Sequence, residues 1–147
     1  MTSPAPPATA EVLLVEDDPG DVLLTREAFA EHHQGAQLHV VGDGEEAMRF
    51  VCRTGDFAGA PRPALVLLDL NLPRRSGLEV LADLKADPDL RTIPVVVLTT
   101  SQAEKDILRS YQLHTNAYIV KPIDADQFSE AIGQIDGFFL TLAVQPQ

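Results

Sequence analysis

The sequence predicts an α/β protein of one domain, in which helices cover both faces of a five-stranded parallel sheet. Strand-like and helix-like segments alternate five times along the 147 residues. The strand-like segments are continuous apolar runs rather than alternating ones, which is typical of parallel strands buried on both faces. The length suits a single domain with a substantial core. The sequence shows no internal repeat and no sign of a second domain.

Five apolar runs are the predicted strands, and turn and capping signals separate them. The strands cover residues 11–15, 36–41, 64–70, 93–100 and 117–120. The predicted helices run from Pro19 as far as His33, from the turn GDG to near Gly55, over 76–86, over 101–113, and from Asp124 to Phe139. Asp18 is the expected N-cap of the first helix, because Asp favours that position and Pro19 suits the first helical position. Helical periodicity also predicts that Cys52 is packed.

The acidic composition and the single cysteine exclude several classes of function. The chain has 22 Asp plus Glu against 11 Lys plus Arg, a formal net charge of −11, which argues against binding of nucleic acid through a basic surface. One cysteine permits neither an internal disulfide nor a thiolate metal cluster and favours a reducing compartment. Residues 1–10 have the Pro- and Ala-rich composition of a disordered lead-in rather than of a signal peptide. Because no apolar run approaches the roughly 18 residues of a membrane span, a cytoplasmic protein without membrane contact is expected.

Polar side chains stand where the predicted strands end. Glu16 and Asp17 follow the first strand, Asp69 the third, Thr99 the fourth and Lys121 the fifth. The carboxyl ends of parallel strands meet at one edge of a sheet, where ligands bind in such folds, so three acids, a hydroxyl and an ammonium group are expected to converge. Two like charges about 4 Å apart repel by about 4 kcal/mol at an effective dielectric constant near 20. The acids therefore take up protons or bind a cation, and their oxygen ligands favour Mg²⁺ over zinc.

This group of side chains suits the transfer of a phosphoryl group to a carboxylate. Mg²⁺ is usually completed by a phosphate oxygen, and an aspartate can be the nucleophile that forms an aspartyl phosphate. Asp69 is the predicted acceptor. Asp17 and Asp69 would ligate the metal, Glu16 would hold a metal-bound water, and Asn71 would offer its backbone carbonyl. The phosphoryl oxygens would be met by Lys121, by the Thr99 hydroxyl and by backbone N–H groups that follow Asp69. No ATP-binding loop of the type G-x-x-x-x-G-K-[ST] is present.

Four motifs then identify a family. The stretches VLLVEDDPGDVLL, LVLLDLNLPRRSGLEVL, VVVLTTS and AYIVKP, in this order and spacing, resemble the receiver domain of two-component response regulators, and the resemblance covers residues 11–139. It implies a flavodoxin-like (CheY-like) doubly wound sheet with strand order 2-1-3-4-5. It also implies a phosphoacceptor at Asp69, a switch hydroxyl at Thr99, a lysine at Lys121 and a switch aromatic at Tyr118.

Two positions in this correspondence stay open. The family's acidic pair falls on Glu16 and Asp17, but the run of three acids also permits Asp17 and Asp18. The doublet Thr99–Thr100 leaves the hydroxyl open in the same way. The earlier residue is preferred in both cases because it directly follows the apolar run.

The resemblance also implies partners and a mode of action. A sensor histidine kinase would donate the phosphoryl group from a phosphohistidine, and the switch would act on the face formed by the fourth helix, the fifth strand and the fifth helix. The sequence more narrowly resembles stand-alone regulators partnered with bacterial phytochrome kinases. Apolar residues near the end of the last helix predict a homodimer through the same face. The expected organisation is a lead-in over 1–10, a receiver domain over 11–140 and a tail over 141–147.

Two other classes of protein compete with this interpretation. A haloacid-dehalogenase-like phosphatase also uses an aspartate at a strand end, but that family carries a second acid two residues later, where this chain has Asn71. A receiver-like binding module that is never phosphorylated does not need these side chains, and the presence of all of the acids together with Thr99 and Lys121 disfavours it. Phosphorylation by a small phosphodonor would separate a phosphoacceptor from such a module.

Overall fold

Five parallel strands form one sheet in the computed structural model, in the order β2-β1-β3-β4-β5. The structure describes residues 10–32, 36–70, 72, 74, 76–99, 117–120 and 130. The strands are β1 (Ala10–Val15), β2 (Ala36–Val41), β3 (Leu65–Asp69), β4 (Val95–Thr99) and β5 (Ala117–Val120). Every neighbouring pair is parallel. The predicted strand order and the parallel sheet are therefore confirmed.

Three α-helices connect the strands in the described part of the chain. They are α1 (Pro19–His32), α2 (Gly44–Cys52) and α3 (Gly77–Ala86), and a short 3₁₀ helix (Gly55–Phe57) follows α2. The helices predicted over 101–113 and from Asp124 lie outside the described residues, apart from Glu130, whose backbone is helical. Among the helices that the structure describes, none has the length and apolar character needed to cross a bilayer.

The central strands β1, β3 and β4 are buried on both faces. Leu13 and Val15 of β1 pack with side chains of α2 and α3, such as Phe50 and Leu81. The alternate residues of the same strand face the opposite way and pack with Ala28 and Phe29 of α1, which contribute to a second apolar cluster. Because successive side chains of a strand point to opposite faces, a sheet covered on both sides requires the continuous apolar strands seen in the sequence.

Side-chain caps fix where the helices begin. Asp18 Oδ2 accepts a hydrogen bond from the Asp21 N–H at 3.2 Å, which confirms the predicted cap of α1. Ser76 Oγ accepts from the Glu79 N–H at 3.2 Å at the start of α3. Such caps satisfy backbone donors that have no partner within the helix.

Several boundaries differ by one or two residues from the predicted ones, and the burial of Cys52 also differs from the prediction. β4 begins at Val95 rather than at Ile93, because the Ile93 N–H closes a turn onto the Leu90 carbonyl at 3.0 Å. α2 ends at Cys52, because Arg53 adopts a left-handed conformation with φ 58° and its N–H bonds back to the helix. Cys52 is consequently exposed at the last helical position, and the prediction that it is packed was wrong.

Candidate metal centre

Three acids meet at the carboxyl edge of the sheet. Asp69 is the last residue of β3, and Glu16 and Asp17 directly follow β1. β1 and β3 are neighbours, with Val15 paired with Leu68, so their ends lie side by side. One carboxylate oxygen from each acid lies within 4.8 Å of the other two. The convergence predicted for these acids is therefore present in the structure.

The three carboxylates lie in different environments. Glu16 and Asp69 are only 2% and 4% exposed, respectively, whereas Asp17 is exposed. Glu16 Oε2 accepts hydrogen bonds from the Asp17 and Asp18 N–H groups at 3.1 and 3.2 Å, and the Glu16 N–H donates to the Val41 carbonyl. The local backbone thus orients the buried Glu16 carboxylate, while Asp17 presents its carboxylate to solvent beside it.

Such a group of acids fits a hard divalent cation. Three negative charges this close together disfavour one another unless a cation or protons compensate them. All of the donor atoms are carboxylate oxygens, which Mg²⁺, Ca²⁺ and Mn²⁺ prefer over sulfur or nitrogen ligands. The exposed Asp17 leaves a route for an ion from solvent, and the remaining coordination positions can be filled by water or by a phosphate oxygen.

The acid that remained open in the sequence, Asp18, has a different role in the structure. Its Oδ2 atom caps α1, and its carbonyl accepts the Val22 N–H at 3.0 Å as the first hydrogen bond of that helix. Within the described residues, the group of acids that could hold a metal contains Glu16, Asp17 and Asp69 and does not include Asp18. The geometry thus favours the earlier acidic pair.

The start of α3 lies against the backbone that carries Asp69. A Cβ atom built on Gly77 would lie 2.3 Å from the Asp69 carbonyl oxygen and 2.5 Å from the Leu70 Cα. The Gly77 N–H also donates to the Leu70 carbonyl at 3.1 Å. Only a residue without a side chain permits this approach. In the sequence Gly77 has no signal beyond that of a residue at the start of a helix, so this role was missed.

The first backbone N–H after Asp69 is engaged within the sheet. The Leu70 N–H, the first one after Asp69, donates to the Leu98 carbonyl at 3.3 Å and extends the pairing of β3 with β4. In the structure it is therefore committed to the sheet. The prediction that backbone N–H groups after Asp69 meet phosphoryl oxygens named no particular residue, and it stays a prediction.

A second pair of charged side chains stands at the same edge. Asp43 lies two residues beyond β2, caps α2 by accepting the Glu46 N–H at 2.8 Å, and has a side chain that is 11% exposed. Its other oxygen, Oδ2, lies 3.6 Å from Nε of Arg74, which belongs to the connection between Asp69 and α3. The sequence interpretation found no chemical group after β2 and missed both residues. The Asp-Gly-Glu-Glu spacing at 43–46 was the available signal for a cap.

The other predicted site residues are described only in part or not at all. Thr99 is the last residue of β4, and its backbone pairs with Val120 at this edge of the sheet; Tyr118 lies within β5. The side chains of these two residues, and the whole of Asn71 and Lys121, lie outside the described residues. Their roles stay predictions from the sequence.

Comparison with known proteins agrees with this architecture. The model of the response regulator receiver domain family matches residues 12–133. The response regulator Rcp1 of Synechocystis sp. is 42% identical over 135 residues, which are 92% of each chain. The crystal structure of the phosphorylated cyanobacterial phytochrome response regulator RcpA is similar with a TM-score of 0.85 and 45% identity, over 95% of this chain and 100% of that one. The Mn²⁺-bound form of Rcp1 is similar with a TM-score of 0.82 and 41% identity, over 94% of this chain and 99% of that one.

Proposed function

Because the chain belongs to the response regulator receiver domain family, we propose that it is a phosphoryl-accepting switch of a two-component system, with Asp69 as the acceptor. Receiver domains of this kind are phosphorylated by histidine kinases. The observation that carries the proposal is the group of three carboxylates at the carboxyl edge of the sheet, with oxygens within 4.8 Å of one another. Asp69 is the member that ends the central strand β3, with β1 and β4 on either side.

The proposed reaction is a displacement at phosphorus. An Asp69 oxygen attacks the phosphorus of a phosphohistidine, the P–N bond breaks, and the imidazole leaves with the electron pair. The result is an aspartyl phosphate, which water later hydrolyses to free Asp69 and inorganic phosphate. Burial of Asp69 favours a weakly solvated nucleophile and limits the access of water. Thr99 and Lys121 are proposed to meet phosphoryl oxygens, since a hydroxyl and an ammonium group neutralise or bind the charge that those oxygens carry.

We assign the divalent metal to Asp17, Asp69 and the backbone carbonyl of Asn71, with Glu16 acting through a bound water. A divalent ion binds in this acidic pocket in receiver domains, and the Rcp1 structure contains Mn²⁺. Mg²⁺ is the proposed ion here, because the donors are oxygens and the reaction involves a phosphoryl group. When bound, the ion would neutralise charge on the acids and on the incoming phosphoryl group.

Metal affinity separates the two possible acidic pairs. Asp17→Asn is expected to weaken Mg²⁺ binding by more than about tenfold, since it removes a charged ligand. Asp18→Asn removes the same charge but keeps the cap of α1, because Asn caps as well as Asp, and it is expected to change the affinity by no more than about twofold. Isothermal titration calorimetry of the two variants measures this difference. Equal losses in both would contradict the assignment of Glu16 and Asp17.

The proposed type of kinase rests on the similar proteins of known role. RcpA is a phytochrome response regulator, which supports a phytochrome-type sensor histidine kinase as the donor for this chain. On phosphorylation, Thr99 and Tyr118 are proposed to rearrange and to alter the face of the fourth helix, β5 and the fifth helix. We propose that two copies associate through that face, in the cytoplasm; sedimentation at micromolar concentration as a monomer, with and without phosphorylation, would refute the dimer.

A small phosphodonor tests the proposed function directly. Incubation with acetyl phosphate and Mg²⁺ is expected to add the mass of one phosphoryl group to the intact protein, and peptide mapping is expected to locate it at Asp69. Omission of Mg²⁺ in the presence of a chelator is the matched control and is expected to prevent the adduct. A wild-type protein that binds Mg²⁺ but gains no phosphate would favour the unphosphorylated binding module instead.

A further inference from the structure

Asp43 and Arg74 connect two loops at the edge of the sheet that holds the acids. Val41, the last residue of β2, pairs with Val15 of β1, and its carbonyl accepts the Glu16 N–H at 3.0 Å. The loop after β2 therefore adjoins the acids on one side. Asp43 in this loop and Arg74 in the connection from Asp69 to α3 approach to 3.6 Å.

Hydrogen bonds other than the contact with Arg74 already fix the orientation of the Asp43 carboxylate. Asp43 Oδ1 accepts the Glu46 N–H at 2.8 Å, and Glu46 Oε2 in turn accepts the Gly42 N–H at 2.9 Å. This reciprocal capping fixes the orientation of a carboxylate that is only 11% exposed. Oδ2 is therefore a fixed, largely desolvated partner for a cation, and the strength of an ion pair rises as water is excluded from it.

Arg74 has an unfavourable backbone conformation where it meets Asp43. Its φ of 67° lies in a region that residues with a side chain rarely adopt, because the Cβ atom crowds the backbone. Its side chain is 65% exposed, so apolar burial does not explain the residue. The ion pair with Asp43 is the contact by which an arginine at this position can stabilise the structure.

We propose that Arg74 is a positioning residue, which acts on Asp69 by tying the connection between Asp69 and α3 to the fixed Asp43 carboxylate. The α3 end of that connection is already fixed, since Gly77 abuts the Asp69 carbonyl and donates to Leu70. With Arg74 held as well, the backbone that leaves Asp69 is restrained at both points. The inference deepens the proposed function and rests on it, because the restraint serves the metal and phosphoryl site at Asp69.

Charge alone and positioning make opposite expectations for Arg74→Gly, and Asp43→Asn is its partner variant. Arg74→Gly removes a positive charge near the acids while permitting the positive φ. Asp43→Asn removes a negative charge while keeping the cap of α2. If only the charges mattered, Mg²⁺ would bind more tightly to the first variant and more weakly to the second. If the pair positions Asp69, both variants are expected to bind Mg²⁺ about twofold to fivefold more weakly, the range of a partly exposed ion pair.

The experiment combines Mg²⁺ titration with hydrogen–deuterium exchange of the peptide that spans residues 70–76. Both variants are expected to exchange faster in this peptide, the double variant is expected to lose no more than either single one, and Arg74→Lys is expected to recover part of the affinity. Arg62→Ala is the matched control: it removes an arginine that binds the Asp89 carbonyl and Thr92 at the opposite end of the sheet, and it is expected to change neither measurement.

Each possible result supports or overturns the positioning role of Arg74 or the proposed function. Unchanged exchange in both variants, affinities that move in opposite directions, or additive losses in the double variant would overturn the positioning role while the wild type still binds Mg²⁺. A wild-type protein that binds no Mg²⁺ would instead overturn the proposed function, and the inference with it. Thermal unfolding of every variant shows that the affinities compare folded proteins.

Discussion

Replacement of Asp69 with Asn is expected to reduce phosphoryl incorporation from acetyl phosphate to background. An amide oxygen is a far weaker nucleophile than a carboxylate, so the acceptor is lost although the size of the side chain is kept. The variant also removes one of the three charges that would hold the metal. Intact mass spectrometry after incubation with Mg²⁺ and acetyl phosphate measures the adduct.

The matched control for this variant is Asp18→Asn. It removes one acid from the neighbouring connection, and because Asn is also a good cap, α1 is expected to stay intact. The control is expected to accept a phosphoryl group at a yield close to that of the wild type. An adduct of equal yield on Asp69→Asn would place the acceptor elsewhere and refute the central assignment.

Replacement of Gly77 with Ala is expected to destabilise the protein by about 3 kcal/mol. The new Cβ would lie 2.3 Å from the carbonyl oxygen of Asp69 and 2.5 Å from the Leu70 Cα, and neither backbone atom can move away as a flexible side chain could. Relief of the clash must shift α3 or the end of β3. Urea unfolding followed by circular dichroism measures the change in the free energy of unfolding.

Gly59→Ala supplies the comparison for that variant. A Cβ on Gly59 would meet no atom within 4 Å, and the substitution is expected to change the free energy of unfolding by no more than about 0.5 kcal/mol. The folded fraction of Gly77→Ala is also expected to bind Mg²⁺ more weakly, because the clash displaces the backbone of Asp69 itself. Equal stability of the two variants would contradict the close approach of α3 to β3.

The features that the sequence predicts best depend on periodicity and on one rule of geometry. Continuous apolar runs fix the strands, and the carboxyl ends of parallel strands must meet, so Glu16, Asp17 and Asp69 could be brought together without coordinates. The cap at Asp18 could be predicted because capping is local along the chain. Thr99 and Lys121 stay predictions that rest on the same rule and on the family resemblance. Asn71 stays a prediction from its place after Asp69, and Tyr118 from the resemblance alone.

The missed features depend on distances across the fold. Arg74 and Asp43 are far apart in sequence, and their ion pair exists only because two loops end at neighbouring strands. The close approach of Gly77 depends on where α3 docks against β3. Neither periodicity nor spacing carries this information, since each contact is decided by packing between separate elements.

Each of the three consecutive acids after β1 has a different structural role, and none of them can take the place of another. Glu16 is turned inward and held by the two N–H groups that follow it, Asp17 faces solvent, and Asp18 starts α1. Side chains of one chemical class thus have three different roles at three successive positions. Insertion or deletion of a single residue here would shift the acids out of the positions that these roles require. The length of this connection is therefore as strictly constrained as its composition.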